Sequence, residues 1–114
     1  MIAVIFEVLP KEENKQEYFD IATNLKPILE NIEGFISVER FESLQTDGKF
    51  LSLSFWESEE AIKKWRNETM HRDGQSNGIR HIFSDYRIRV GSIIRDYGME
   101  KREEAPKDSN DYHI

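Results

Sequence analysis

Residues 35–56 read FISVERFESLQTDGKFLSLSFW, and this stretch decides the fold. Two apolar-rich runs, Phe35 to Ser43 and Lys49 to Trp56, flank Thr46-Asp47-Gly48. An Asp-Gly pair between such runs signals a hairpin, because the turn needs positive φ, which glycine adopts without steric cost. The second run alternates: Leu51, Leu53 and Phe55 point one way, and Phe50, Ser52, Ser54 and Trp56 the other. Both sets carry large apolar side chains, so this strand needs cover on both faces.

Toward the N-terminus, Ile2 to Leu9 is a short Ile- and Val-rich run ended by Pro10, which reads as a strand. It is apolar on both alternating sets apart from Glu7, as a central strand is. Glu12 to Ile32 places Tyr18, Phe19, Ile21, Ala22, Leu25, Ile28, Leu29 and Ile32 at helical spacing. Pro27 removes a helix hydrogen bond and clashes with the turn before it, so a break is expected near Asn24 to Lys26, with Pro27 opening a second short helix. Gly34 suits a helix C-cap.

Toward the C-terminus, Ser58 is a helix N-cap candidate, and Glu59 and Glu60 match the positive end of the dipole. Ala61, Ile62 and Trp65 form the apolar stripe of that helix. Asn67 to Gly78 reads as loop or irregular helix, and Ile79 to Phe83 as one further helical turn. Tyr86 to Tyr97 is the last strand. Residues 1–98 are expected to form the domain, and residues 99–114 a charged, flexible tail. The order β-α-β-β-α-β is the ferredoxin-like pattern, an α+β fold with a four-stranded antiparallel sheet and both helices on one face. The sheet face left bare carries large apolar residues, each worth roughly 1.5–3 kcal/mol when buried, so a second copy packed sheet to sheet is expected.

A length of 114 residues fits one domain, and the formal charge of −6 argues against nucleic-acid or anionic-membrane partners, which favour basic surfaces. The chain has no cysteine, which removes disulfides, thiolate nucleophiles and Cys-based metal sites. No apolar run approaches the roughly 18 residues of a membrane span. The first residues read as a strand without a basic leader, so a cytoplasmic protein is expected.

Several stretches resemble the antibiotic biosynthesis monooxygenase family. They are residues 33–43, residues 53–61, Trp65-Arg66-Asn67, His71 with Gln75, residues 85–90, and Arg95-Asp96-Tyr97-Gly98. The resemblance implies a dimeric α+β barrel. It also implies one of several chemistries: oxidation of polycyclic phenols with dioxygen and no metal or flavin, haem binding and degradation, or no assigned activity. By the same resemblance Trp65 occupies the place of a functional tryptophan. Haem degraders of the family carry a ligand histidine where this chain has Gln75, and an asparagine where it has Glu7. Two of their three residues are therefore replaced.

The candidate residues each have a plain alternative. Trp65 is a pocket wall against a flat ring, or simply core at helical spacing with Ala61 and Ile62. His71 is a proton shuttle near neutral pH, or a solvated histidine in a polar stretch. Glu7 becomes a usable base if burial raises its pKa, or is solvated near a strand end. Arg87 and Arg89, with Arg95, bind a phenolate or carboxylate, or form a solvated face. Asn67 joins Trp65, His71 and Glu7 as the catalytic set, and Trp56, Gln75, Arg87 and Arg89 form the substrate-binding set. No metal or nucleotide cofactor is expected, with haem retained under the alternative. The leading expectation is a cofactor-independent monooxygenase for a small aromatic or phenolic molecule. The alternatives are a haem protein and a non-catalytic dimeric binding module.

Overall fold

The computed structural model describes the backbone of residues 1–75 and 79–112; the side chains of residues 69–80 and 112 lie outside the described set. Four strands, β1 (Ile2–Pro10), β2 (Phe35–Glu42), β3 (Phe50–Trp56) and β4 (Phe83–Ser92), form one sheet in the order β2-β3-β1-β4. Every neighbouring pair is antiparallel. Helix α1 (Lys15–Glu30) links β1 to β2, and α2 (Glu59–Gln75) leads from β3 toward β4. This is the expected ferredoxin-like α+β fold. The two strands that are apolar on both alternating sets, β1 and β3, are the central ones.

Register assigns each face. Val4 pairs with Ser54 and Val90, and Val8 with Phe50 and Tyr86, so these residues point toward the helices. Ile5 pairs with Leu53 and Arg89, and Glu7 with Leu51 and Arg87, so these point to the outer face. On the helix side the buried residues fall into two clusters. One joins Val4, Leu29, Trp56, Ala61 and Ile62; the other joins Val8, Tyr18, Phe50 and Ile82.

Two local expectations are corrected and a third is narrowed. Helix α1 runs unbroken through Pro27. Pro27 stands in the last part of the helix, and Thr23, whose carbonyl loses its intrahelical donor, is exposed, so water meets that carbonyl. Helix α2 extends to Gln75, so of the two readings of the stretch from Asn67, loop or irregular helix, the helical one holds that far. Strand β4 begins at Phe83 and stops at Ser92, short of Tyr97. Among the described residues its only neighbour is β1, and the amide of Ile93 already donates to the Met1 carbonyl at 3.0 Å, so no strand remains among them to pair with.

Gly34 follows α1 in the turn that leads into β2 and holds a φ of +93°, a region side chains rarely enter. Its carbonyl accepts from the Glu57 amide at 2.7 Å, and a Cβ here would stand 2.7 Å from the Ala61 Cβ. The start of α2 therefore sits directly on this glycine.

Beyond β4 the chain folds on itself. The Arg102 guanidinium lies 5.3 Å from the Tyr97 ring centre and donates to the Gly98 carbonyl at 3.0 Å and to Asn110 Oδ1 at 2.7 Å. A short helix, α3 (Lys107–Tyr112), follows. The radius of gyration is 16.6 Å, against about 13 Å for a compact chain of this length, which places part of the chain outside the packed body.

Candidate functional site

The two clusters leave a seam between them. On α1, Tyr18, Ala22 and Leu29 are the buried positions, with Tyr18 in one cluster, Leu29 in the other, and the small Ala22 in neither. On β3 the same pattern repeats: Phe50 and Trp56 belong to the clusters, and Ser52 and Ser54 lie between them. Arg40, on the edge strand β2, stands opposite Ser52 in register and shares its face. Small and polar side chains thus line the middle of an otherwise apolar layer.

Trp56 is fully buried, and its Nε1 donates to Ser54 Oγ at 2.9 Å. Trp65, from α2, stacks on Trp56 with ring centres 5.4 Å apart and planes at 25°. The Phe35 ring meets Trp56 edge-on at 5.2 Å. The indole of Trp65 is therefore held flat against a rigid neighbour, which fixes its orientation.

Among the described residues, three side-chain polar atoms of this helix-side layer are buried without a hydrogen bond: the Tyr18 hydroxyl, Arg40 Nε and Trp65 Nε1. An unmatched buried donor costs about 1–3 kcal/mol, so such a group in a folded chain calls for an explanation. Tyr18 is 5% exposed, and burial pushes its hydroxyl pKa up. The Arg40 guanidinium beside it opposes that push, by its charge and by its proximity as a donor, although the hydroxyl and Nε both remain outside good hydrogen-bond geometry.

The structure brings together Trp56 and Trp65 from the expected set. Asn67 is exposed on α2, a little over half a helical turn beyond Trp65. His71 and Gln75 stand on the same helix, and their side chains lie outside the described residues. Glu7, Arg87 and Arg89 are on the opposite face of the sheet. There Glu7 accepts from Arg89 Nη1 at 3.0 Å and faces Lys49 Nζ at 3.8 Å. The Arg89 hydrogen bond, above all, holds the Glu7 carboxyl below its ordinary range, against a smaller upward push from desolvation. Glu7 is thus an ionised partner of cations, not a base with a raised pKa. His81 lies 3.6 Å from Glu17 on the surface. Among the described residues no three His, Cys, Asp or Glu side chains converge on a metal position.

Sequence reasoning missed Tyr18 and Arg40. Tyr18 merges with the apolar stripe of α1, and Arg40 with the charged run around it. A signal did exist: Arg40 has the same strand parity as Val38, the helix-facing set of β2.

The fold and this seam define a small α+β domain with an aromatic-walled, donor-lined layer between helices and sheet. The antibiotic biosynthesis monooxygenase model matches residues 1–77, and the chain belongs to that family. It is 42% identical over 93 residues to "Jasmonate monooxygenase ABM" of Pyricularia oryzae, a match over 82% of this chain and 43% of that protein. The chain thus spans less than half the length of that relative. It is 31% identical over 93 residues to the uncharacterized protein YqjZ of Bacillus subtilis, covering 82% of this chain and 79% of YqjZ. Among solved structures, Rv0793 of Mycobacterium tuberculosis superposes with a TM-score of 0.73 at 13% identity, over 85% of this chain and 98% of that one. The haem degrader MhuD of the same organism, with two haems in its active site, superposes with a TM-score of 0.67 at 15% identity, over 86% and 100%. At such identities these two likenesses concern the fold.

Proposed function

We propose that the chain is a cofactor-independent monooxygenase that oxidises a small aromatic or phenolic molecule with dioxygen, acting in the cytoplasm as a homodimer. The observation that carries this reading is the Trp65–Trp56 stack, with Trp65 Nε1 buried and unmatched, in a chain of this family. Trp65 presents a flat, fixed surface to the substrate ring. Asn67 holds the phenol oxygen and His71 takes its proton, which leaves an electron-rich anion. That anion reduces dioxygen directly: one oxygen atom enters the ring as a carbonyl, and the other leaves as water with two hydrogens of the substrate. A phenol thereby becomes a quinone without an external reductant.

The outer face supplies the dimer contact. Ala3, Ile5, Leu51, Leu53 and Phe55 form its apolar centre, and Glu7 with Lys49, Arg87 and Arg89 its charged border. A second copy packed there shields side chains that the helices do not cover.

Oxygen uptake tests the activity, with phenolic and anthrone-type compounds and with jasmonate, after which the Pyricularia relative is named. Trp65→Phe and His71→Ala should lose turnover and stay folded. A wild-type chain that binds such molecules without consuming oxygen would instead be a binding module. By resemblance to the family's haem degraders, Gln75 and Glu7 stand where those carry a ligand histidine and an asparagine, so no step here is routed through haem. A haemin titration followed by absorbance checks that alternative. A saturable Soret shift, with bleaching by ascorbate that persists in the presence of catalase, would replace the present reading with haem degradation.

A further inference from the structure

Among the described residues, the side-chain atoms buried without a hydrogen bond are Tyr18 Oη, Arg40 Nε, Trp65 Nε1 and, in the tail, Arg102 Nη2. Every one carries a hydrogen to donate, and no carboxylate or amide oxygen is among them. Arg40 Nε and Trp65 Nε1 can only donate and the Tyr18 hydroxyl can do either, so this layer suits a ligand rich in acceptors. In the helix-side layer the Arg40 donor belongs to a cation, and no Asp or Glu stands within ion-pair distance of Arg40 among the described residues. The complement is therefore an acceptor with a negative charge.

We infer that Tyr18 and Arg40 bind the carboxylate of the substrate, which is a flat ring compound bearing one acid group. This deepens the proposed function, since it names the substrate class of the same site. One guanidinium matches one carboxylate in charge, and its planar fork matches the two oxygens in shape. The Tyr18 hydroxyl donates to the same group. Arg40 lies opposite Ser52, and Trp56, beneath Trp65, is four residues farther along β3, about 13 Å at roughly 3.3 Å per residue. An acid held at Arg40 directs its ring along Ser52 and Ser54 toward Trp65. Ala22, Ser52 and Ser54 are the small residues of the layer between the two clusters. The reacting end then sits at the tryptophan wall, and the acid end sets the orientation.

The test is equilibrium binding to the full chain without turnover, read by tryptophan fluorescence, with naphthalene-1-acetate and its neutral isostere naphthalene-1-acetamide. The acid should bind about tenfold tighter than the amide or better, equivalent to about 1.4 kcal/mol. Arg40→Gln should abolish that preference, since it removes the cation that distinguishes the acid from the amide. Tyr18→Phe keeps the ring and removes only the hydroxyl, so it should shrink the preference even if Arg40→Gln melts too low to use. Equal binding of acid and amide, no binding of either at millimolar concentration, or a preference that survives both substitutions overturns the inference. The two readings fail separately. An acid preference without oxygen uptake on any compound removes the monooxygenase and leaves the anion site. Turnover of a carboxylate-bearing phenol that is unchanged in Arg40→Gln removes the anion site and leaves the monooxygenase.

Discussion

Gly34→Ala tests how the start of α2 is seated, and with it the position of Trp65. Two costs add. The backbone at φ +93° is left-handed, which costs an L side chain roughly 1–2 kcal/mol. The new Cβ would stand 2.7 Å from the Ala61 Cβ, and overpacking of this kind costs about 1–3 kcal/mol. The sum is about 2–5 kcal/mol. At about 2.1 cal/mol/K of unfolding entropy per residue, 114 residues give a Tm change of about 4 °C per kcal/mol, hence a fall of roughly 8–20 °C. Ala61→Gly separates the two costs. Alone it should destabilise by about 1–2 kcal/mol, from helix propensity and a lost buried methyl. Combined with Gly34→Ala it removes the collision and leaves the backbone cost, so the pair should be more stable than the sum of the singles by about 1–3 kcal/mol. Urea unfolding of the four proteins measures this coupling. Near-UV circular dichroism reads the site in the same samples, because Ala61 is about one turn before Trp65 and a displaced α2 weakens the Trp65–Trp56 stack. Additivity within about 0.5 kcal/mol would refute the steric argument, and a Gly34→Ala protein that melts like the wild type would refute both parts.

Glu7→Gln should lower stability near neutral pH. The folded-state pKa of Glu7 is depressed by Arg89, so its contribution is present above the ordinary value of 4.5 and is lost as pH falls below it. The wild type and the variant should therefore converge in acid; a gap that persists at low pH would assign the effect to shape instead of charge. Tyr18→Phe makes the opposite comparison. Burial raises the folded pKa of Tyr18, so the stability tied to its proton is complete below the ordinary value of 10.0 and is lost as pH rises above it. The wild type should lose more stability than Tyr18→Phe between neutral and strongly alkaline pH, as chemical denaturation reads. Leu53→Asp places a charge in the centre of the outer face, opposite Ile5 in register. Sedimentation velocity should show the wild type as a dimer and this variant as a folded monomer. A dimer that survives the substitution would move the subunit contact elsewhere.

Strand parity made the fold legible. β1 and β3 are apolar on both alternating sets, a pattern that suits central strands, and the strand order places both at the centre of the sheet. Pro27 misled because the rule against proline assumes that the orphaned carbonyl is shut away from water, whereas Thr23 lies on the solvent side of α1. The end of β4 was illegible for a different reason. The run from Tyr86 to Tyr97 is suitable for a strand throughout, but pairing stops where β1 begins, and that limit belongs to the neighbour. The site divides along the same line. Trp65 was visible because its type and helical spacing are local facts. Glu7, Arg87 and Arg89 drew attention as charged side chains on strands, and register then placed all three together on the outer face, where they meet one another and not the tryptophans. Tyr18 and Arg40 are ordinary by every local measure, a tyrosine in an apolar stripe and an arginine in a charged run. What distinguishes them is a buried donor without an acceptor, a relation between α1 and β2 that exists only once the chain is folded. A binding site is recognisable in such a layer by bonds that the chain leaves unmade, which is why the residues that best discriminate among ligands are those that composition and periodicity conceal.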